Sequence, residues 1–470
     1  ISVPGGEKLK IEASRGLSSI TMVRVCSGAF EEHDAYEQHF QRFPNLQLSD
    51  FQKWSIKAIV DGDHSLVTAH TGSGKTLPAE FAIQHFVATG KRVIYTAPVK
   101  ALSNTKLADL RAKYPDISFG IITGDTKDNP DADVLIMTTE VLPNTLYNLQ
   151  RDQRPDSGHS APLSFSMDME NDLAAVVFDE VHYINDEERG GAWEQAIIML
   201  PPHVQMIMLS ATIDKATQFA GWVEGAKNAQ ARARGQRLRS VILSSSPSRV
   251  VPLTHYLWTT TNSKALASAS KEDQAMLHAT CGTEIVLKGP GQPFQEKAFL
   301  KASKAVRLSP GVTRRDSLDK LLRHLVSSQG LPAVCFVFSR RQVEVVAREI
   351  SVGLFSEDER TIPETIEADC RKILASRLPN YHEYLVLPEY RRLITMLQKG
   401  VGVHHAGILT VFREMVEILF EQKKIKLVVA TETLAVGVNF STTSVIFTDI
   451  RKYDGRTRRM LLPHEYTQMA

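Results

Sequence analysis

The stretch Ser65-Leu66-Val67-Thr68-Ala69-His70-Thr71-Gly72-Ser73-Gly74-Lys75-Thr76 runs from an apolar, β-branched segment into a glycine-rich turn, with a helical stretch following. Glycines allow successive backbone N–H groups to close around phosphate oxygens at a helix N-terminus. In such a loop a lysine supplies a point charge to the β- and γ-phosphates and the next hydroxyl suits Mg2+. Thr71, Gly72, Ser73, Gly74, Lys75 and Thr76 are therefore the candidate phosphate-binding residues. A glycine-rich turn carrying a surface lysine would need neither the strand before it nor the helix after it. The strict pattern has glycine where Ala69 stands.

Outward from this loop, short apolar runs alternate with helix-length segments from about Leu46 to Leu243: SLVTAH, KRVIYTAP, ADVLIMTT, LAAVVFDE, VQMIMLSAT and SVILSS. Such runs, nearly continuous in apolar character, predict a parallel sheet covered on both faces. A second series begins near Ala305, with AVCFVFS, GVGVHHAG, KLVVATET and SVIFTDI as strands, and with Arg340 to Ile350 and Thr410 to Glu421 as helices. The expected class is α/β, with two tandem lobes, each a mainly parallel sheet flanked by helices. The expected division is an N-terminal extension over 1–42, a first lobe over 43–246, a connector over 247–304 and a second lobe over 305–470 with a helical insertion at 351–399. In the connector, Val251-Pro252-Leu253 and His255 to Trp258 read as extended and Gly289 to Pro293 as loop.

Composition narrows the classes. The chain has 470 residues, 43% hydrophobic and 23% charged, which suits two or three folded domains at roughly 100–200 residues each. With 55 basic and 53 acidic residues the net charge is only +2, so nucleic-acid binding would have to come from a local groove. Four well-separated cysteines, Cys26, Cys281, Cys335 and Cys370, support neither a structural zinc site nor a disulfide framework, and a reducing compartment is expected. The longest apolar run, Ala196 to Ile213, is broken by Pro201, Pro202 and His203, so no membrane association is expected. No targeting signal is seen; a cytoplasmic location is expected, with the nucleus as the alternative.

A second constellation follows the run Ala174 to Phe178, which ends in Asp179-Glu180-Val181-His182. Ligands of open α/β sheets bind beyond the carboxyl ends of the strands, where this pair of carboxylates would lie. An acidic pair at a strand end is by itself more often a solvated cap; with Lys75 in the same lobe the catalytic reading prevails. Asp179 would hold Mg2+ through its water shell and Glu180 would orient and deprotonate an attacking water, so Thr76, Asp179 and Glu180 are the metal-associated candidates. His182 is read as a coupling residue, bridging toward Ser210 and Thr212 of the Ser-Ala-Thr triplet after the next strand.

AHTGSGKT, TAPVKALSNTK, TTEVL, DEVHYINDEERGGAWEQAIIMLP, LSAT, VFSRRQVE, VHHAGIL and ATETLAVGVN occur in the order found in Superkiller-like (SKI-type) DExH-box RNA helicases of superfamily 2. The chain resembles that family over most of Leu46 to Ala470. The resemblance implies two recombinase-A-like lobes, Mg2+-dependent ATP hydrolysis, 3′ to 5′ tracking on single-stranded RNA with duplex unwinding, and work in RNA processing or decay beside an exosome-type assembly. It implies that Gln52 reads adenine; an aromatic commonly stands six residues earlier, where this chain has Leu46, with Phe43 as a substitute. Pro98, Lys100, Ser103, Asn104, Gly124, Asp125, Thr138, Thr139 and Glu140 resemble the first lobe's RNA-backbone contacts. Ser339, Arg340, His405 and Gly407 resemble those of the second lobe. Thr431, Glu432 and Thr433, with Gly437 and Asn439, resemble the motif touching both RNA and nucleotide. The paired His404 and His405 do not read as a metal site, because neighbouring strand residues face opposite ways and no third ligand is evident. Arg232, Arg234, Arg237 and Arg239 read as a solvated face.

Glu465 to Ala470 resembles the start of the family's last motif, which continues Gly-Arg-Ala-Gly-Arg and supplies the arginine finger. Arg456, Arg458 and Arg459 precede Gln468 and read as a surface loop. With Ile1 at one end and this motif at the other, both ends read as cut, and a longer natural chain is expected. Two other functional classes compete: a DNA helicase of the repair branch, and a nucleotide-gated RNA-binding scaffold without turnover.

Overall fold

The computed structural model describes residues 23–70, 72–124, 126–152, 167–186, 189–211, 213, 215–246, 251–435, 442–453 and 457–470. These fall into two compact units, one built from the described residues of 1–68, 75–98 and 113–245 and the other from 69–74, 99–112 and 246–470. Each is described by itself.

Between residues 24 and 246 the strands are β1 (Arg24–Cys26), β2 (His64–Ala69), β3 (Arg92–Ala97), β4 (Phe119–Ile122), β5 (Lys127–Asp128), β6 (Val134–Thr138), β7 (Leu173–Phe178), β8 (Gln205–Ser210) and β9 (Val241–Ser246). The helices are α1 (His33–Phe40), α2 (Asp50–Val60), α3 (Leu77–Val87), α4 (Lys100–Lys113), α5 (Val141–Asp152), α6 (Gly190–Met199) and α7 (Ala216–Ala233). The strands form one sheet in the order β1-β9-β2-β8-β7-β3-β6-β4-β5. Its centre is parallel from β2 through β8, β7, β3 and β6 to β4, and β5 closes the edge antiparallel. Six strands, β2, β3, β4, β6, β7 and β8, are buried almost throughout, as a sheet covered on both faces requires. The six strands expected between Ser65 and Ser246 are all present; β1, β4 and β5 were not foreseen. β1 lies within the stretch expected as an N-terminal extension, yet it pairs in parallel with β9 and so belongs to the sheet.

Beyond residue 246 the elements are β10 (His255–Leu257), α8 (Ser263–Ser268), α9 (Lys271–Thr280), β11 (Ile285–Lys288), α10 (Glu296–Leu308), α11 (Arg314–Ser327), β12 (Ala333–Phe336), α12 (Arg340–Glu349), α13 (Ile362–Arg377), α14 (Tyr381–Leu385), α15 (Pro388–Leu397), β13 (Val401–His404), α16 (Thr410–Glu421), β14 (Leu427–Ala430), β15 (Ser444–Phe447), β16 (Arg451–Tyr453), β17 (Arg458–Met460) and α17 (Pro463–Met469). A parallel sheet runs β13-β14-β12-β15, while β10 with β11 and β16 with β17 make two antiparallel ribbons. Alternation along the parallel strands divides the core. Val334, Phe336, Val428 and Ala430 pack on one face with Ile366, Leu374, Leu393 and Phe412. Ala333, Cys335, Leu427 and Val429 pack on the other with Leu322, Val343 and Val346. Residues 351–399, expected as an insertion, supply α13 to α15 and thereby one covering layer of the sheet.

One polar group is embedded in the first core. Lys227, on α7 and 1% exposed, donates from Nζ to the carbonyls of Leu200 at 2.6 Å and Ile198 at 3.3 Å, just past and within the last turn of α6. It also meets Gln230 Oε1 at 3.0 Å. These three acceptors satisfy an amine there, two of them carbonyls at the end of α6 that the helix itself leaves without an N–H partner. Burial, with Arg234 nearby, lowers the Lys227 pKa from 10.5 to about 7. Between those values the unfolded chain binds a proton that the folded one does not, so this group makes unfolding harder as pH rises from about 7 toward 10.5. Lys227→Met is expected to flatten that part of the curve in urea titrations at several pH values. Identical slopes in the two proteins would mean that Lys227 stays charged in the fold.

Candidate functional site

Parallel pairing brings the carboxyl ends of β2, β8, β7, β3 and β6 to one edge. Thr68 pairs with Ser210, Phe178 with Met208, Thr96 with Phe178 and Ala97 with Thr138. The loop after β2 turns at Gly72 and Gly74, both at φ +80°, where a side chain would be strained. The Ser73 hydroxyl donates to the His70 carbonyl at 2.6 Å. Thr76 stands at the N-cap position of α3 without a side-chain capping bond, and Lys75, 8% exposed, points to the acidic strand end, with Nζ 2.6 Å from Glu180 Oε1.

Glu180 itself holds a left-handed backbone (φ 51°, ψ 48°), unfavourable by about 1–2 kcal/mol for a residue with a Cβ, at the junction of β7 with a 3-10 turn over Val181–Asn185. That kink places His182 Nδ1 3.4 Å from Glu180 Oε2 and 3.4 Å from Ser210 Oγ. Asp179, Glu180, His182, Ser210 and Lys75 are thus brought together in one unit.

Asp179 is buried, and its Oδ2 accepts from Tyr95 Oη at 2.7 Å, a partner the sequence reading missed. Burial first, and then the Asp179 charge, hold the Tyr95 hydroxyl well above its usual range, so it remains a proton donor at any working pH. A tyrosine in an otherwise apolar central strand was the available signal, since a buried phenol needs a partner. Arg189 was missed as well. Its guanidinium bridges Glu140 after β6 and the Pro98 carbonyl after β3, joining two loops singled out separately. Thr139 is fully buried and donates from its backbone to Ala97 at 3.0 Å, whereas Thr138 is partly exposed and Gly124 exposed. On α4, Lys100 and Asn104 are exposed, but Ser103 is fully buried against the Val99 carbonyl.

The adenine-reading expectation meets a structural competitor. Gln52 is buried at the start of α2, and its Oε1 accepts from the Ser49 N–H at 2.9 Å, capping the helix. Phe43 is only 7% exposed and offers no free face as a substitute for the aromatic, while Leu46 is 53% exposed. Arg239, expected on a solvated face, instead donates to the Gly62 carbonyl and, at 2.9 Å, to the His203 carbonyl.

In the second unit a pocket of about 850 Å3 opens at the carboxyl ends of β12, β14 and β15. Ser339, Arg340, Thr431, Glu432 and Thr433 all line it, joined by Arg314, Arg451, Tyr453 and Arg458. Thr431 and Thr433 hydroxyls meet at 2.8 Å. His405 lies outside the lining; it is buried, with Nδ1 accepting from the Gly407 N–H at 3.1 Å and Nε2 3.5 Å from Glu344. Burial lowers its pKa, favouring the neutral ring. His404 turns to Glu417 at 2.7 Å, so the paired histidines face different partners. No metal-binding cluster exists among the described residues. Thr71, Asp125, Thr212, Gly437 and Asn439 lie outside the described residues, as does Arg456.

The residues present fit a Mg2+-nucleotide. Oxygen donors alone, the Thr76 hydroxyl and the Asp179 carboxylate, suit a hard cation, and the glycine turn leaves open space at Gly72, where an added Cβ would meet nothing within 4 Å. The position of Arg189 depends on its neighbour. A Cβ at Gly190 would stand 2.2 Å from the Ile184 carbonyl oxygen. Gly190→Ala should therefore destabilise the first unit by about 1–3 kcal/mol in urea unfolding, whereas an unchanged midpoint would contradict this packing.

Comparison with known proteins agrees with this layout. The DEAD/DEAH box helicase model matches residues 49–219. Superkiller complex protein 2 of Homo sapiens is 37% identical over 425 residues, covering 89% of this chain and 31% of the relative. Antiviral helicase SKI2 of Saccharomyces cerevisiae is 32% identical, covering 90% of this chain and 34% of the relative. ATP-dependent RNA helicase mtr4 of Schizosaccharomyces pombe is 32% identical, covering 90% and 35%. The chain thus spans about a third of the length of these relatives. No helix among the described residues is long and apolar enough to cross a membrane. Lys75, Asp179-Glu180 and His182, assembled at the edge of one parallel sheet, thus lie within residues 49–219, the stretch that matches the DEAD/DEAH box helicases, and the chain's homologues are named as helicases of the Superkiller and Mtr4 type.

Proposed function

We propose that this chain is the motor of an ATP-dependent RNA helicase. The observation that carries the reading is the Lys75–Glu180 pair at 2.6 Å beside an Asp179 held by Tyr95, on the edge where β2, β7 and β8 end. Gly72, Ser73, Gly74 and Lys75 bind the phosphates, and Lys75 exchanges Glu180 for phosphate oxygen as substrate enters. Freed from the lysine, Glu180 orients the attacking water and takes its proton. Thr76 and Asp179 would hold Mg2+, which would neutralise charge on the phosphates. Tyr95 fixes the Asp179 rotamer without competing for charge, and His182 relays the state of Glu180 to Ser210.

RNA is proposed to follow strand-end loops in each unit: Pro98, Lys100, Asn104, Gly124, Thr138 and Glu140 in the first-lobe motifs, and Ser339, Arg340, Thr431, Glu432 and Thr433 in the second. Buried Ser103, Thr139 and His405 support the loops from beneath. The exposed groups along these loops, on Lys100, Asn104, Ser339, Arg340 and Thr433, would contact backbone without reading sequence, which suits a translocating motor. Thr71 and Gly437 at the nucleotide, Thr212 in coupling, and Asp125 and Asn439 at RNA complete the assignment. The helicase names of the relatives support RNA as the track. A 3′ to 5′ direction, work in RNA decay beside an exosome-type assembly, and a cytoplasmic or nuclear location belong to the same proposal.

ATPase assays with single-stranded RNA and DNA test the reading. RNA should stimulate turnover more strongly; equal stimulation, or a preference for DNA, would favour the repair-type alternative. Glu180→Gln should abolish turnover while nucleotide still binds, and persistent turnover would remove Glu180 from its role. Tyr95→Phe should lower kcat about tenfold, the scale of one hydrogen bond to a charged group, with ATP affinity retained. An unchanged kcat would leave Tyr95 as core packing only.

A further inference from the structure

The antiparallel ribbon of β16 and β17 carries an arrangement that its own two strands cannot stabilise. Lys452 and Arg459 are directly opposite in the register, a like-charge cross-strand pair. Such pairs are destabilising, and an isolated two-stranded ribbon is marginal even without one. Here both cations converge on Glu465 of α17. Arg459 donates to it through two N–H groups at 2.8 Å each, Lys452 Nζ lies at 2.6 Å, and the Leu462 N–H adds a fourth bond at 2.8 Å. Burial alone would raise the Glu465 pKa, but the bonds from Arg459, Lys452 and Leu462 prevail and hold it at about 2.

Alternation turns the neighbouring side chains the other way. Both strands read exposed, intermediate, exposed, and the residues flanking the Glu465-facing pair, Arg451, Tyr453 and Arg458, line the 850 Å3 pocket with Ser339 and Thr431. One face of the ribbon is therefore fastened to α17, while the other supplies two guanidinium groups and an aromatic ring to the strand-end pocket. Guanidinium forks match phosphate oxygens, and an exposed ring offers a stacking surface for a base.

We propose that Glu465 is a positioning residue: by neutralising Lys452 and Arg459 it keeps this ribbon in register, so that Arg451, Tyr453 and Arg458 meet the backbone of single-stranded nucleic acid in the pocket. The ligand part of this inference rests on the function proposed above; the fastening of the ribbon does not.

The test uses the whole protein, with single-stranded RNA as the probe and two readouts. Glu465→Gln keeps the shape and removes the charge. It should speed amide hydrogen exchange in residues 451–453 and 458–460 and raise the RNA concentration for half-maximal ATPase stimulation about tenfold, equivalent to 1.4 kcal/mol, the loss falling there and not on kcat at saturating RNA. Adding Lys452→Met to Glu465→Gln relieves the like-charge pair and should restore both readouts. Arg458→Ala should raise the RNA constant without changing exchange. Unchanged exchange in Glu465→Gln, or no rescue by Lys452→Met, overturns the positioning role whatever RNA does. Altered exchange with an unaltered RNA constant overturns the link between ribbon and ligand. A wild-type protein indifferent to RNA overturns the proposed function and, with it, the ligand part of this inference.

Discussion

The parallel pairing of β2, β8, β7, β3 and β6 is the constraint on which the first unit's chemistry depends. Because the strands run the same way in a shared register, their carboxyl ends emerge side by side, with Thr68 opposite Ser210 and Thr96 opposite Phe178. Lys75 and Glu180 are 105 residues apart in the chain, yet meet at 2.6 Å because each lies in the connection that leaves the carboxyl end of one of these strands. Antiparallel pairing of the two segments would have sent them to opposite edges.

Charge in such a place must be held by partners, and the partners are local. Asp179 is buried against the Tyr95 hydroxyl, and Arg189 ties the Glu140 carboxylate to the Pro98 carbonyl. A buried ionised group without such a bond costs several kcal/mol, so the Tyr95 contact is a condition for placing the Asp179 charge there, whereas the partly exposed Arg189–Glu140 pair fixes the two loops relative to each other. The left-handed backbone of Glu180 fits the same account: the turn is unfavourable in itself, and it brings Glu180 and Ser210 to the same His182 nitrogen.

The second unit applies the same geometry more openly. Its four-stranded sheet is packed on both faces by alternating residues, which leaves the carboxyl edge of β12, β14 and β15 as the place where polar groups gather. The β16–β17 ribbon joins that edge from outside the sheet. Its two faces have different partners, Glu465 on one side and the pocket on the other.

The strands of both sheets were legible because fully buried parallel strands are written as unbroken apolar runs such as Ala175 to Phe178 and Leu427 to Ala430. The phosphate loop was legible because its glycines serve backbone angles that few other residues adopt, and the acidic pair because it ends an apolar run. What could not be read from sequence were relations across the chain. That Tyr95 faces Asp179, that Arg189 joins two loops, that Gln52 caps its own helix, and that residues 351–399 cover a sheet all depend on which elements pack together. By itself the sequence determined the element types, the α/β class and the chemistry offered at each strand end, since those follow from local pattern and backbone angle. Only the tertiary structure decided which polar groups meet, because a buried hydrogen bond or ion pair is selected by distance in space, to which separation along the chain is no guide.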